Sequence, residues 1–131
     1  MTDTRMSVFE HGQLPGALEL ALVGDSVYDL YVRSHLVRKG GRVKDIHKNA
    51  VMHVNAHAQA MALDRIEEML TEEEAGVVRR ARNAKQTPTK NADAGDYHKA
   101  TALEALLGYL YLTGQTERLN RFLRLCTNME G

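Results

Sequence analysis

The 131-residue chain lacks tryptophan and any long hydrophobic run, and it contains one cysteine and two prolines. The single cysteine, Cys126, cannot form an internal disulfide, so a disulfide scaffold is excluded and no catalytic thiol is indicated. The longest uncharged apolar stretch is far too short to span a bilayer. The first residues, Met1 to Met6, do not have the layout of a secretory signal. We therefore expect a cytoplasmic protein.

The composition favours helices in a single domain. Leucine and alanine are abundant, proline is rare, and both features favour helix. Hydrophobic residues make up 44 % and charged residues 26 % of the chain, which is typical of a soluble globular protein. A chain of this length can bury one core. We predict one all-α domain over residues 1–131.

The net charge of zero conceals a division of charge along the chain. Six acids and one arginine lie between Asp64 and Glu74, whereas six bases and one acid lie between Arg33 and Lys48. A second basic run carries Arg79, Arg80, Arg82, Lys85, Lys90 and Lys99. Segregated positive charge can attract an anionic polymer, although solvated helix faces would explain either run equally well.

Periodicity and turn residues predict the first helices. Pro15-Gly16 marks the start of a helix that Gly40-Gly41 ends, and a second long helix is predicted from Val43 to Leu70. Thr71 followed three residues later by Glu74 has the capping-box arrangement and predicts the start of a third helix, whose later part is the basic run Arg79–Lys85.

The second half of the chain is also predicted to be helical. Residues Gln86 to Gly95 form a loop on composition, and Asp96 can cap the next helix. From Ala100 to Leu112 that helix is apolar almost all round, which predicts a central position. Gly114 is a predicted stop, and Thr116 to Met129 form a last amphipathic helix.

Two acidic residues occupy positions where the hydrophobic pattern predicts apolar ones. Asp25 falls on a stripe with Leu18 and Leu22, and Glu104 is the one charge between Lys99 and Glu117. A buried carboxylate without a partner is costly or takes up a proton. Two carboxylates on packed helices could instead hold Mg²⁺, which prefers oxygen ligands and keeps several waters. Such an ion can activate water and stabilise charge on a phosphodiester.

An ordinary structural explanation competes with the metal hypothesis. The two acids could be unrelated and partly buried, each paired with a base such as Arg33 or Lys99. Gly24 and Gly108 each cost a helix interior about 1 kcal/mol relative to alanine, which is explained if another backbone approaches closely. Asp29 could support a metal from one turn away, but an ion pair with Arg33 at i+4 is the preferred interpretation.

His53 and His57 are spaced i, i+4 and form a possible zinc pair. The segment between them lacks the glutamate that metalloprotease chemistry requires, and no cysteine is near. Two histidines packed between helices are the simpler interpretation.

The polar loop Gln86–Gly95 is flanked by bases and could bind a phosphate backbone. A plain connection between helices is the alternative, although ten residues is longer than most such loops. Clustered aromatic residues for stacking single-stranded bases are not evident.

Several of these stretches together resemble one known family. Leu22-Val23-Gly24-Asp25-Ser26-Val27 resembles the signature helix of the ribonuclease III catalytic domain, and Ala102-Leu103-Glu104-Ala105-Leu106-Leu107-Gly108 resembles its second acidic helix. Arg82-Asn83-Ala84-Lys85 and Lys90-Asn91-Ala92-Asp93 are similar to the short branch of that family, Mini-ribonuclease III. The resemblance extends from about residue 16 to residue 125.

The resemblance implies an all-α ribonuclease III fold, a homodimer and Mg²⁺-dependent cleavage of double-stranded RNA to 5′-phosphate and 3′-hydroxyl ends. It implies that Asp25 and Glu104 are catalytic, metal-binding carboxylates, and that the substrate is a 23S ribosomal RNA precursor. Ribonuclease III proper has two further acids, where this chain has Ala21 and Thr101. The metal would therefore keep more waters.

At 131 residues the chain is too short for a separate double-stranded-RNA-binding domain beside this catalytic domain, so the resemblance implies that the catalytic domain binds RNA by itself. A-form RNA is recognised mainly through its shape, phosphates and 2′-hydroxyls, so the basic run and its loop are the predicted contacts. The predicted RNA-binding residues are Arg79, Arg80, Arg82, Asn83, Lys85, Lys90 and Lys99. Two alternatives remain, a non-catalytic RNA-binding or ribosome-assembly module and a zinc hydrolase that uses His53 and His57.

Overall fold

The computed structural model describes residues 13–86 and 93–129, and within these ranges the regular secondary structure is entirely helical. The helices are α1 (Ala17–Lys39), α2 (Val43–His53), α3 (Ala56–Ile66), α4 (Glu72–Arg82), α5 (Ala94–Leu112) and α6 (Thr116–Thr127). A 3-10 turn, Glu67–Met69, follows α3. The all-α prediction is confirmed. None of the described helices is long and apolar enough to cross a membrane. Lys90 and most of the predicted loop lie outside the described residues.

Most helix boundaries follow local signals in the sequence. The predicted capping box is present, because Thr71 Oγ1 accepts a hydrogen bond from the backbone N–H of Glu74 and Glu74 Oε1 accepts one from that of Thr71. Gly114 has a φ of 75°, a conformation that favours glycine, and it follows the end of α5 as predicted.

The predicted helix from Val43 to Leu70 is wrong, because the chain breaks between α2 and α3. Val54 leaves helical geometry, and Asn55 adopts an extended conformation at the N-cap of α3. The Asn55 side chain serves both helix ends. Its Oδ1 accepts from the N–H of Ala58 at 2.9 Å, and its Nδ2 donates to the Val51 carbonyl at 2.8 Å. This double use of one side chain satisfies groups that a helix end leaves unpaired.

Two smaller boundary predictions are also corrected. The N-cap of α5 is Asp93 and not Asp96, because Asp93 Oδ1 accepts a hydrogen bond from the N–H of Asp96 within the first turn. Helix α4 ends at Arg82, so Lys85 belongs to the segment that follows it.

Helix α5 is the centre of the fold, as predicted. It packs against α1, α3, α4 and α6. Four leucines of α5 are completely buried among the other helices: Leu103, Leu106, Leu107 and Leu110. The middle of α5 is therefore surrounded by other helices, and a buried polar side chain there needs a hydrogen-bonding partner within the protein.

The predicted burial of Leu18, Leu22 and Asp25 on one stripe of α1 is wrong, whereas Val32 and Leu36 of the same stripe are buried as predicted. Leu18 is 39 % and Leu22 is 73 % exposed, and Asp25 is exposed as well. The buried residues of α1 are instead Leu20, Ala21, Gly24, Tyr28, Val32 and Leu36. The reason is that α1 packs on α5 through a small residue, Gly24, which contributes nothing to a hydrophobic pattern.

Helices α1 and α5 cross in direct backbone contact at Gly24 and Gly108. A Cβ atom added to Gly24 would lie 1.6 Å from the carbonyl oxygen of Glu104, and one added to Gly108 would lie 1.9 Å from that of Leu20. Real Cβ atoms do not approach other atoms so closely. The expectation that another backbone comes close to these glycines is confirmed, and the crossing fixes where the neighbouring acids lie.

Candidate active site

The crossing of α1 and α5 brings the carboxyl groups of Asp25 and Glu104 close enough to interact. Asp25 follows Gly24, the residue that touches the Glu104 backbone, so the contact between helices places the two side chains together. Asp25 is exposed to solvent, whereas Glu104 is partly buried. The pair therefore lies at the surface of the protein, with one member directed into the helix packing.

The surroundings of Glu104 oppose its ionisation. Burial is the main cause that raises the pKa of its carboxyl group to about 8; a hydrogen bond from Gln59 acts in the opposite direction, and the neighbouring Asp25 adds to the rise. The Gln59 bond joins its Nε2 to Glu104 Oε2 at 3.1 Å. A carboxyl group with so high a pKa keeps its proton at neutral pH unless a positive charge favours the ionised form.

The two bases considered as partners of these acids have other partners. Arg33 Nε donates to Asp29 Oδ1 at 2.8 Å, which is the i, i+4 pair expected for Asp29. Lys99 Nζ lies 2.8 Å from Asp64 Oδ1. The explanation that Asp25 and Glu104 are ordinary ion-pair members with these bases is therefore not supported.

A divalent cation fits this pair of side chains. Both offer oxygen ligands, which Mg²⁺ prefers, and its remaining positions are commonly filled by water. A cation would also provide the positive charge that favours the ionised form of Glu104. In the described parts of the chain, no group of three or more His, Cys, Asp or Glu side chains could hold a metal, so these residues would supply two ligands.

The histidine pair is not built for zinc. His53 ends α2 and His57 lies in α3, so the break at Asn55 removes the i, i+4 geometry on which that hypothesis depended. His57 Nδ1 instead lies 2.9 Å from Asp96 Oδ2 at the surface. The zinc alternative loses its geometric support.

Ala21 and Thr101 are both buried. They are the neutral residues at the two positions where ribonuclease III proper has further acids. Thr101 lies one turn before Glu104, and its hydroxyl accepts a hydrogen bond from Gln86 Nε2 at 2.8 Å and donates to the Tyr97 carbonyl at 3.0 Å. The residues that follow α4 are thus attached to α5 one turn from the acidic pair.

The predicted RNA-binding residues within the described ranges lie mainly at the end of α4. Arg79, Arg80, Arg82, Asn83 and Lys85 are exposed. A shallow depression there is lined by Arg82, Asn83, Ala84, Lys85, Gln86 and His98. Arg82 lies 3.7 Å from Glu67, with both side chains 41 % exposed, and such exposed pairs contribute little. Lys99 differs, because its ammonium group bonds to Asp64.

Gln59 and Gln86 were not predicted from the sequence. Gln59 bonds to a residue 45 positions away and Gln86 to one 15 positions away, so no local spacing indicates either contact. For Gln59, the one available signal was an amide side chain within a run of small residues on a helix expected to pack.

The chain is similar to proteins of one known family. A family model described as the ribonuclease III domain matches residues 18–115. Proteins named Mini-ribonuclease 3 are similar over most of their length. The one from Symbiobacterium thermophilum is 48 % identical over 82 % of this chain and 84 % of its own. The one from Enterococcus faecalis is 44 % identical over 93 % of this chain and 95 % of its own.

A crystal structure of a Fusobacterium nucleatum protein superposes with a TM-score of 0.80 at 30 % identity, covering 84 % of this chain and 90 % of that one. The predicted helical bundle is thereby confirmed. Together with the match of the family model over residues 18–115, these likenesses show that the chain belongs to the ribonuclease III family.

Proposed function

We propose that this chain is a Mg²⁺-dependent endoribonuclease that cleaves double-stranded RNA, with Asp25 and Glu104 as the metal-binding, catalytic residues. One observation carries the proposal. Two carboxyl groups from different helices lie beside each other at the surface. Neither is paired with Arg33 or Lys99, which bind Asp29 and Asp64 instead. Two carboxylates alone would repel the negatively charged phosphodiester. A Mg²⁺ ion held between them would instead attract it and assist its cleavage.

The chain's own residues would set the reaction geometry. Asp25 and Glu104 would fix the ion at the helix crossing, and the exposed side of Asp25 would be open to RNA. When bound, Mg²⁺ activates a water and stabilises the charge that develops on the phosphate. The water oxygen bonds to phosphorus as the bond to the 3′-oxygen breaks. The attacking water gives up a proton and the leaving 3′-oxygen takes one up, which gives a 5′-phosphate and a 3′-hydroxyl.

The purified protein is expected to cut a radiolabelled RNA duplex in Mg²⁺ and to leave it intact in EDTA. The products are expected to carry 5′-phosphate and 3′-hydroxyl ends, which ligation and end-labelling distinguish. Binding of the duplex without cleavage in Mg²⁺ would contradict the enzyme proposal and favour the non-catalytic RNA-binding or ribosome-assembly module. Zinc in the purified protein, with cleavage dependent on His53 and His57, would favour the zinc hydrolase.

The end of α4 supports an RNA-binding role because its basic residues are exposed and the segment that follows them is attached to α5. The bond from Gln86 to Thr101 attaches this segment one turn from Glu104. The proposed RNA contacts are Arg79, Arg80, Arg82, Asn83 and Lys85. Lys90 and Lys99 complete the proposed contact set. Lys99 would have to exchange its bond with Asp64 for a phosphate.

Changing Arg82 and Lys85 together to alanine is expected to weaken binding of duplex RNA and to reduce its salt dependence. The slope of log K against log salt should fall by about one for each phosphate that the variant no longer binds. The matched control is Arg121→Ala with Arg124→Ala, which removes two exposed charges from α6. Binding measured by fluorescence anisotropy at several salt concentrations checks this. Equal affinity for the parent and the Arg82, Lys85 variant would remove these residues from the RNA surface.

A homodimer is part of the proposal, and α1 supports it. Leu18 and Leu22 lie one turn apart on an exposed face of α1, and Asp25 lies on the next turn of the same face. Exposed apolar patches on a soluble protein commonly mark contacts with another protein. Two copies joined near this face would present two sites to the two strands of a duplex. Light scattering is expected to give twice the chain mass, and a monomer at micromolar concentration would contradict the dimer.

The natural substrate proposed is a precursor of 23S ribosomal RNA, as the resemblance to the Mini branch implies, and the enzyme would act in the cytoplasm. Cells lacking the protein are expected to accumulate 23S RNA with unprocessed ends, as read by primer extension. Normal ends in those cells would contradict this assignment without affecting the proposed chemistry.

A further inference from the structure

Gln59 is a buried polar residue whose placement is explained by Glu104. The residue is 3 % exposed, and the other buried residues of α3 are Ala60, Ala62, Leu63 and Ile66. A buried amide without hydrogen bonds is costly, and an apolar residue would pack here without that cost. The contact that offsets it is the 3.1 Å bond from Gln59 Nε2 to Glu104 Oε2.

The break between α2 and α3 positions this amide. Asn55 closes the end of α2 and caps α3, with bonds to the Val51 carbonyl and the Ala58 N–H. Gln59 lies one turn further along, and its backbone N–H donates to the Asn55 carbonyl at 3.0 Å. Helix α3 packs against α5, so the Gln59 side chain reaches Glu104 from a packed helix and not from a loop.

Building on the proposed function, we propose that Gln59 is a positioning residue that holds Glu104 as a ligand through a single oxygen. The amide N–H binds Oε2, which leaves Oε1 as the oxygen available to the cation. The same bond fixes the rotation of the carboxyl group, which would otherwise turn freely about its last bond. Partners that orient a metal ligand in this way commonly change metal affinity by about 10- to 100-fold when removed.

The test is direct binding of Mn²⁺ to the protein without RNA, measured by electron paramagnetic resonance or calorimetry, for the parent and for Gln59→Met. Methionine keeps the length and burial of the side chain but donates no hydrogen bond. The Mn²⁺ dissociation constant is expected to rise about 10- to 100-fold. The Mg²⁺ concentration for half-maximal cleavage should rise by the same factor, with most of the rate restored at saturating Mg²⁺.

Gln115→Met is the matched control, because Gln115 Nε2 donates to Thr113 Oγ1 at the surface and should not affect metal binding. Circular dichroism reports whether each variant is folded. If Gln59→Met does not fold, Gln59→Asn serves instead, since it keeps the amide but cannot reach Oε2 from one methylene further back. Mn²⁺ affinity equal to that of the parent in a folded Gln59 variant would overturn the inference.

Asp25→Asn separates this inference from the function on which it rests. If the parent binds Mn²⁺ and Asp25→Asn does not, the metal site stands, and an unaffected Gln59 variant overturns the positioning role alone. If the parent itself binds no Mn²⁺, or Asp25→Asn binds it equally well, the proposed metal site fails and the Gln59 role fails with it.

Discussion

Replacing Gly24 with alanine is expected to destabilise the folded protein by about 3 kcal/mol or more, the upper end of the range for an overfilled core. The new Cβ would lie 1.6 Å from the Glu104 carbonyl oxygen, which is backbone and cannot rotate away. The two helices would have to separate, and the apolar packing between them would be lost. Gly108→Ala should behave in the same way, because its Cβ would meet the Leu20 carbonyl oxygen at 1.9 Å.

Gly76→Ala is the matched control, a buried glycine within α4. Its added Cβ would meet only the ends of arginine side chains, the nearest being Arg80 at 3.3 Å, and these can move. Alanine is better than glycine in a helix by about 1 kcal/mol, so this variant should be as stable as the parent or more so. The free energies of unfolding of the three variants can be measured by urea denaturation. A Gly24→Ala protein as stable as the parent would contradict the close crossing of the helices.

Asp25→Asn is expected to abolish Mg²⁺-dependent cleavage, lowering its rate by about 1,000-fold or more. Removing one electrostatic stabiliser from an active site commonly lowers the rate by up to about that factor. Asparagine has nearly the same shape but no negative charge, so the cation would lose one of its two proposed anionic ligands. Binding of duplex RNA should remain, since the exposed bases at the end of α4 are unchanged. Single-turnover cleavage and anisotropy on the same preparations measure the two quantities separately.

Asp29→Asn provides the comparison for Asp25→Asn, because it makes the same chemical change one turn further along α1. Asp29 pairs with Arg33 at a half-exposed position, and such surface pairs contribute about 1 kcal/mol or less. This variant should therefore fold and cut nearly as the parent does. A normal cleavage rate for Asp25→Asn would end the catalytic assignment of that residue.

Much of the helical fold could be predicted from the sequence because its signals are local. The capping box at Thr71, the glycine after α5 and the apolar run of α5 all depend on residues a few positions apart. The break at Asn55 could not be predicted in that way. Asparagine is a common capping residue, but no glycine or proline stands there, and its side chain serves two helices at once.

The acidic pair could be proposed from the sequence because a charge within an apolar helix requires an explanation. The exposure of Asp25 could not be predicted. Periodicity counted Leu18 and Leu22 as packed residues, whereas the packed face of α1 is organised around Gly24, which has no side chain to count. The role of Gln59 could not be predicted for a different reason, because it depends on a partner in a helix distant along the chain.

The backbone contact between Gly24 and Gly108 has a consequence for how such a protein can change over time. The separation of the two acids is set by main-chain atoms in contact, and not by the fit of bulky side chains around them. Exchanges of similar volume elsewhere in the core cost little and leave this spacing unchanged. The proposed RNA-contacting surface could therefore diverge between lineages without altering the placement of the two acids.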